Sequence, residues 1–224
     1  MNSFFEGRTS DSPYIHGIWH GHTIGLYTPV CPAAAEWNLL LQRKRGKVTV
    51  LFEGPLTRAK AKLETEDTEF CVIRFKTGTF LPVIPVHPFL DVGVSLPMAS
   101  RGTFWLHGMN WEFPRFEDVE AFVSRLVRHE VLLHDPLVSA VLHDQPHERS
   151  SRTVRRRFLQ STGLTPTQIT QINRALRAAA LLRKGVSILD VAYDLGYADQ
   201  PHLTRSLKRF IGQTPGAIVR GNNA

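Results

Sequence analysis

The spacing of apolar and polar positions changes character along the chain. In the front half, apolar residues cluster or alternate in short runs: Ile15–Leu26, Glu36–Gln42, Lys47–Glu53, Arg58–Glu66, Glu69–Lys76 and Thr103–Leu106. Period-two alternation at these lengths is the mark of half-buried strands. Arg45-Gly46 and Gly54-Pro55 separate them as turns. Several close strands without helical periodicity predict an antiparallel sandwich or small barrel. Pro82–Pro88 (PVIPVHP) is too proline-rich for a central strand and reads as a loop leading to a short helix or edge.

After the acidic, proline-containing stretch Glu112–Glu117 the period becomes helical. Val119, Phe122, Val123, Leu126, Val127, Val131 and Leu132 predict a helix over Asp118–Leu133. Asp135 then caps a short helix with Pro136 at its first position, carrying Leu137, Val138, Val141 and Leu142 inward. A polar loop, His143–Arg149, leads to a helix capped by Ser150, with Val154 and Phe158 facing in. Pro166–Lys184 contains no glycine and predicts a stiff helix of roughly 25–28 Å. Ser187 and Asp199 cap two further short helices. Ile188, Val191, Ala192 and Leu195 line the first, Leu203, Leu207 and Phe210 the second, and Gly196 lies at the turn between them. The outer face of the last helix carries His202, Arg205, Lys208 and Arg209. Two short amphipathic helices meeting at a glycine turn, the second basic outside, predict a helix-turn-helix whose second helix enters a DNA major groove.

Charge sharpens that division. The chain has 224 residues and a formal charge of +7. From Ser150 onward there are 12 Lys/Arg against 3 Asp/Glu, which leaves 15 against 17 for the front. A basic back half on a near-neutral front half predicts one domain for a polyanion and another for something else. Two cysteines, Cys31 and Cys71, suggest neither a disulfide framework nor a zinc site. No signal-like segment opens the sequence and no apolar run is long enough to span a membrane, so a cytoplasmic protein is expected.

The wording GYADQPHLTRSLKRFIGQTP resembles the C-terminal signature of the AraC/XylS family of bacterial transcription regulators, and the match runs from Ile188 to Pro215. The family implies a DNA-binding domain of about a hundred residues with two helix-turn-helix units. Ser150–Val154 through Thr162–Pro166 resembles its first recognition helix and exit. The stretch before departs from the pattern, because a loop containing Gln145-Pro146-His147 stands in for the tight turn. Less specifically, the front half resembles the cupin-like jelly roll of such regulators, which senses a small ligand or mediates dimerisation. The expected fold is therefore α+β: a β-sandwich or jelly-roll domain over 1–114, a linking helix over 115–134, and a double helix-turn-helix over 135–224.

The chemistry expected is recognition rather than catalysis. Arginine pairs with guanine O6 and N7 through two hydrogen bonds. Arg152, Arg155 and Arg156 on the first reader helix, with Gln200, His202 and Arg205 on the second, are the expected base-reading residues. Arg157, Arg174, Lys208 and Arg209 are expected to neutralise phosphates. The expected partners are duplex DNA, a small effector, RNA polymerase and a second copy of the chain.

Two rival readings remain. His20-Gly21-His22, with His16 nearby, has the H-x-H spacing of metal cupins, but Thr23–Ala35 lacks the acidic residue that such a site wants. A metal-dependent cupin enzyme is thus the weaker alternative, and neither a metal nor another cofactor is expected. The aromatic residues Trp37, Phe52, Phe70 and Trp105 are read as core, and Arg58 and Arg74 as strand residues free to meet an anion or solvent. The second rival, binding to nucleic acid without sequence preference, would need only the arginine-rich surface.

Overall fold

The computed structural model describes residues 4–25, 30–61, 67–100 and 102–221. In chain order the front strands are β1 (Phe4–Thr9), β2 (Ile15–Thr23), β3 (Val30–Cys31), β4 (Asn38–Lys44), β5 (Lys47–Glu53) and β6 (Lys60–Ala61). They are followed by β7 (Thr68–Phe75), β8 (Thr79–Phe80), β9 (Gly93–Leu96), β10 (Met98–Ser100), β11 (Thr103–Leu106) and β12 (Met109–Glu112). Helix α1 (Val119–Arg128) and the short β13 (Leu133–His134) lead into α2 (Pro136–Leu142), α3 (Ser151–Thr162), α4 (Pro166–Arg183), α5 (Ile188–Asp194), α6 (Gln200–Phe210) and α7 (Pro215–Gly221).

Six strands make one antiparallel sheet in the order β1-β2-β7-β4-β5-β9, and β10-β11-β12 form a second. The hairpin β4–β5 closes at Arg45-Gly46, where both residues have positive φ (47° and 76°). That is the requirement of a tight turn matching the strand twist. Alternate residues of the large sheet, including Leu39, Leu41, Val50, Phe52, Ile73 and Phe75, share one core with Phe104, Leu106 and Trp111 of the small sheet. Helix α1 closes that core with Val119, Phe122, Val123 and Leu126. The β-rich front and helical back are those that the period change predicts.

Three readings change. Trp105 lies 45% exposed rather than in the core, because alternation on β11 sends Phe104 and Leu106 inward and the residue between them outward. The helix expected to reach Leu133 ends at Arg128. Val131 and Leu132 still enter the core, but from a turn that begins at His129 and includes Glu130 with φ of 57°. Of the run Arg58–Glu66 the described residues are 58–61, among which Lys60–Ala61 is strand and Arg58 is exposed outside it; residues 62–66 lie outside the described residues, as does Leu26.

The chain divides into two compact units. The first comprises Met1–Tyr27, Glu36–Pro55 and Leu63–Thr165, and so holds both main sheets with α1, α2 and α3. The second comprises Thr28–Ala35, Leu56–Lys62 and Pro166–Ala224. There α4 buries Ile169, Ile172, Ala175, Ala178, Ala179 and Leu182 as the hub for α5, α6 and α7. The ribbon β3–β6 belongs to this second unit although its sequence lies in the front half.

Candidate nucleic-acid interface

In the second unit the caps act as their residue types require. Ser187 Oγ accepts the Asp190 N–H at 3.1 Å and donates to its carboxylate at 2.6 Å, which starts α5. Gly196 turns the chain with φ of 67°. The Asp199 carboxylate accepts the His202 N–H at 2.6 Å and starts α6. Leu203, Leu207 and Phe210 anchor α6, which leaves Gln200, Arg205, Lys208 and Arg209 exposed. His202 is half-buried: its Nδ1 accepts the Ala198 N–H at 3.3 Å and its ring meets Tyr197 edge-on at 5.2 Å. The local turn therefore holds the imidazole.

Arg174 has a more enclosed place than a phosphate contact implies. Its guanidinium lies 4.4 Å over the Tyr197 ring, and Nη1 donates to the Gly196 carbonyl at 3.3 Å. Tyr197 is itself buried, with its hydroxyl 3.3 Å from Ser206 Oγ. Arg174 thus braces the turn between the two helices.

The C-terminal end of α6 is completed by the ribbon. Ala33 N–H donates to the Phe210 carbonyl at 2.7 Å, and Ala59 N–H donates to the Arg209 carbonyl at 2.8 Å. A helix leaves its last carbonyls without internal partners, and here main-chain donors from 33 and 59 supply them. Gly212, at φ of 82°, makes room: a Cβ there would lie 2.7 Å from Val30 Cγ1. These partners are absent from the sequence reading, and two-residue strands leave no periodic signal by which to find them.

The first unit carries the other arginine-bearing helix. Ser150 Oγ accepts the Thr153 N–H at 3.3 Å, Val154 and Phe158 point inward, and Arg152, Arg155 and Arg156 lie on the exposed face of α3. The helix ends at Gly163, with φ of 69°, packed against Val86 and Leu90. Trp37 Nε1 donates to the Ser161 carbonyl at 3.2 Å. In each unit, then, a front-half residue satisfies carbonyls at the end of an arginine-bearing helix.

Arg157 is placed otherwise than a phosphate ligand would be. Its Nε and, at 2.8 Å, its Nη2 donate to the Asp135 carboxylate, which also accepts the Leu137 N–H at 3.0 Å as the cap of α2. Asp135 is almost fully buried, and the hydrogen bonds to its carboxylate, with a smaller contribution from its charge, raise the Arg157 pKa above the ordinary arginine value. The connector His143–Ser150 between α2 and α3 is exposed throughout. The first unit thus lacks the short turn seen between α5 and α6.

The histidines meet other partners. His20 stacks on Phe116 at 4.0 Å and places Nε2 3.0 Å from a Glu6 carboxylate oxygen. His20 and His22 line a cavity of about 410 Å³ with Leu41, Cys71, Phe113 and Phe116 among its walls, while His16 is exposed. Burial pushes the Cys71 thiol up to about 11, so it stays protonated. Among the described residues no three His, Cys, Asp or Glu side chains converge as a metal-ligand set. Arg74 donates to Asn38 Oδ1 at 3.2 Å and stacks over Trp19. No described helix is long and apolar enough to cross a membrane.

Comparison with known proteins agrees with this geometry at the back of the chain. The family model described as "Helix-turn-helix domain" matches residues 148–221, starting just before α3 and omitting α2. The transcriptional activator RhaS of Escherichia coli (strain SE11) is 32% identical over 111 residues, covering 48% of this chain and 40% of the relative. The transcriptional regulator RipA of Corynebacterium diphtheriae is 28% identical over 168 residues, covering 65% of this chain and 50% of the relative. The chain therefore spans about half the length of the curated relatives it matches. ToxT of Vibrio cholerae is similar in structure over 98% of both chains, at 10% identity and a TM-score of 0.42. The matched segment, the caps of α5 and α6 and the glycine turn between them together identify residues 148–221 of this chain as a helix-turn-helix domain.

Proposed function

We propose that this protein is a sequence-specific DNA-binding transcription regulator whose front domain responds to a small ligand. The observation that carries the reading is the exposed Arg205 on a capped, buried-anchored α6. A rigid helix presenting a free guanidinium is what groove readout needs, since a loosely held arginine spends its pairing energy on ordering itself. Gln200 and His202 at the start of α6 are base-reading candidates with it, as are Arg152, Arg155 and Arg156 on α3. Lys208 and Arg209 are assigned to phosphates. Arg157 and Arg174, held by Asp135 and by the Tyr197 turn, are assigned to holding the readers in shape.

For the front domain, the cavity bounded by Phe4, Leu41, Cys71, Phe113 and Phe116, with His20, His22 and Gln42 at its wall, suits a mostly apolar ligand with a few polar groups. A ligand there changes transcription only if it binds one conformation of the protein better than another.

Selection of bound duplexes from a random pool, followed by titration at several salt concentrations, tests the reading. Arg205→Ala should relax preference at one base pair by about 1–3 kcal/mol. Lys208→Ala should weaken all duplexes alike and reduce the salt slope by about 0.9. No enriched sequence, or a uniform loss for Arg205→Ala, refutes the assignment and favours binding without sequence preference.

A further inference from the structure

The solvent face of α3 carries one residue that the division into base-reading and phosphate-binding side chains leaves out. Leu159 is 39% exposed, whereas Val154 and Phe158 on the same helix are buried. At 3.6 residues per turn, Leu159 falls about 20° from Arg152, about 40° from Arg155 and about 60° from Arg156 around the helix axis. The buried Phe158 lies about 100° away and Val154 about 140°. Leu159 therefore stands inside the arginine face, one turn beyond Arg155 and Arg156. On α6 the corresponding face is different: Leu203, Leu207 and Phe210 are all buried, and none of the exposed large hydrophobic residues falls on that helix.

We infer that Leu159 is a specificity-determining residue that contacts the C5-methyl group of a thymine in the major groove. It rests on the assignment of α3 as a base-reading helix and adds a base feature that arginine does not pair with. Among the four bases only thymine presents a methyl group in that groove, and an apolar side chain is its complement. In the free protein the exposed part of Leu159 stands in water. Packing it against the methyl removes both from water, which for one methyl-sized group is worth about fourfold in binding. The helix also sets where the thymine lies. Leu159 is three residues beyond Arg156 and four beyond Arg155, a rise of about 4.5–6 Å along the axis. Base steps along one strand are about 3.4 Å, so the thymine lies about one or two base pairs from a guanine paired by either arginine.

Uracil substitution in the duplex tests this, because it removes the methyl and keeps every hydrogen-bonding group of thymine. The preferred duplex is first obtained by selection from a random pool with the whole chain. Each thymine in it is then replaced singly by uracil, and the duplexes are titrated at one salt concentration. With the unmodified protein, one replacement should weaken binding about fourfold. That thymine should lie within about two base pairs of the position whose guanine preference Arg155→Ala or Arg156→Ala relaxes. Leu159→Ala should bind the thymine and uracil forms at that position alike, whereas Leu159→Met should keep the difference. Leu159→Ala should also leave unchanged any uracil effect at the base pair that Arg205→Ala relaxes. A selected duplex in which no thymine methyl matters, or in which every methyl effect survives Leu159→Ala, overturns the inference and leaves base reading by the arginines intact. A pool that yields no enriched sequence removes the base-reading assignment itself, and this inference with it.

Discussion

Arg157 offers the sharpest test of how this structure divides its arginines. Three of the four on α3 are exposed, whereas Arg157 is tied to Asp135. The Asp135 side chain is 5% exposed and that of Arg157 40%. Replacing Arg157 with methionine keeps most of the aliphatic stem and leaves the carboxylate with the Leu137 N–H as its remaining partner among the bonds described above. Breaking a buried pair from one side costs about 3–5 kcal/mol. The guanidinium, however, is partly solvated, and solvent screening reduces the figure to about 2 kcal/mol. Asp135→Ala should cost less, about 1–2 kcal/mol, because the freed arginine can move into water and mainly the α2 cap is lost. The double variant should lie near Asp135→Ala, which gives a coupling close to the Arg157→Met cost, about 2 kcal/mol, in a double-mutant cycle. Urea unfolding followed by tryptophan fluorescence is the suitable assay, because Trp19, Trp37, Trp105 and Trp111 all belong to the first unit. DNA titration against salt supplies the second readout. Arg157→Met, measured where it is folded, should keep the slope of the parent protein, whereas Arg156→Ala should reduce it by about 0.9. A slope reduced by about that amount in Arg157→Met, with the urea midpoint unmoved, would refute the assignment and return Arg157 to the phosphates.

Further expectations concern the framework. Arg8 donates to both Glu120 oxygens and to the Phe116 carbonyl at 2.8 Å, and the hydrogen-bonded guanidinium holds the Glu120 carboxyl down to about 2. A depressed carboxylate contributes stability above its unfolded pKa of about 4.3 and loses it as pH falls toward 2. Arg8→Met should therefore be about 1 kcal/mol less stable at neutral pH, both side chains being about a third exposed. The gap should close on acidification in a pH series of urea melts. A gap independent of pH would contradict the pairing. In the second unit, Gly212→Ala and Gly185→Ala both place a Cβ at positive φ, 82° and 87°, but only the first meets Val30 and Ala59. Both should pay about 1 kcal/mol for the backbone. Gly212→Ala should in addition speed amide exchange at Ala33 and Ala59, the donors to α6, and equal exchange in the two variants would argue against the ribbon contact.

The helical back of the chain was legible because its signals are local. A serine or aspartate cap, a glycine at positive φ and apolar residues one turn apart act within a few residues, so Ser150, Ser187 and Asp199 mark helix starts that the structure keeps. The exposed faces of α3 and α6 follow from the same spacing. The strands β5 and β11 and the turn at Arg45-Gly46 were equally local. Less was legible where an element is short or edge-bound, as with β1 and the two-residue ribbon strands, since two to six residues carry too little periodicity to stand out.

By itself, then, the sequence determined the change from β to helical period, the placing of caps and turns, and the concentration of positive charge after Ser150, all properties of neighbours along the chain. Tertiary structure alone decided which of those charges stay free. Arg152, Arg155 and Arg156 differ from Arg157 by the presence of Asp135, which lies in the preceding helix cap, and Arg174 differs from Arg205 by a tyrosine ring beneath it. The reason is physical: an arginine's charge is fixed by its type, but its availability depends on the nearest acceptor or aromatic face in space, and folding brings that partner from elsewhere in the chain.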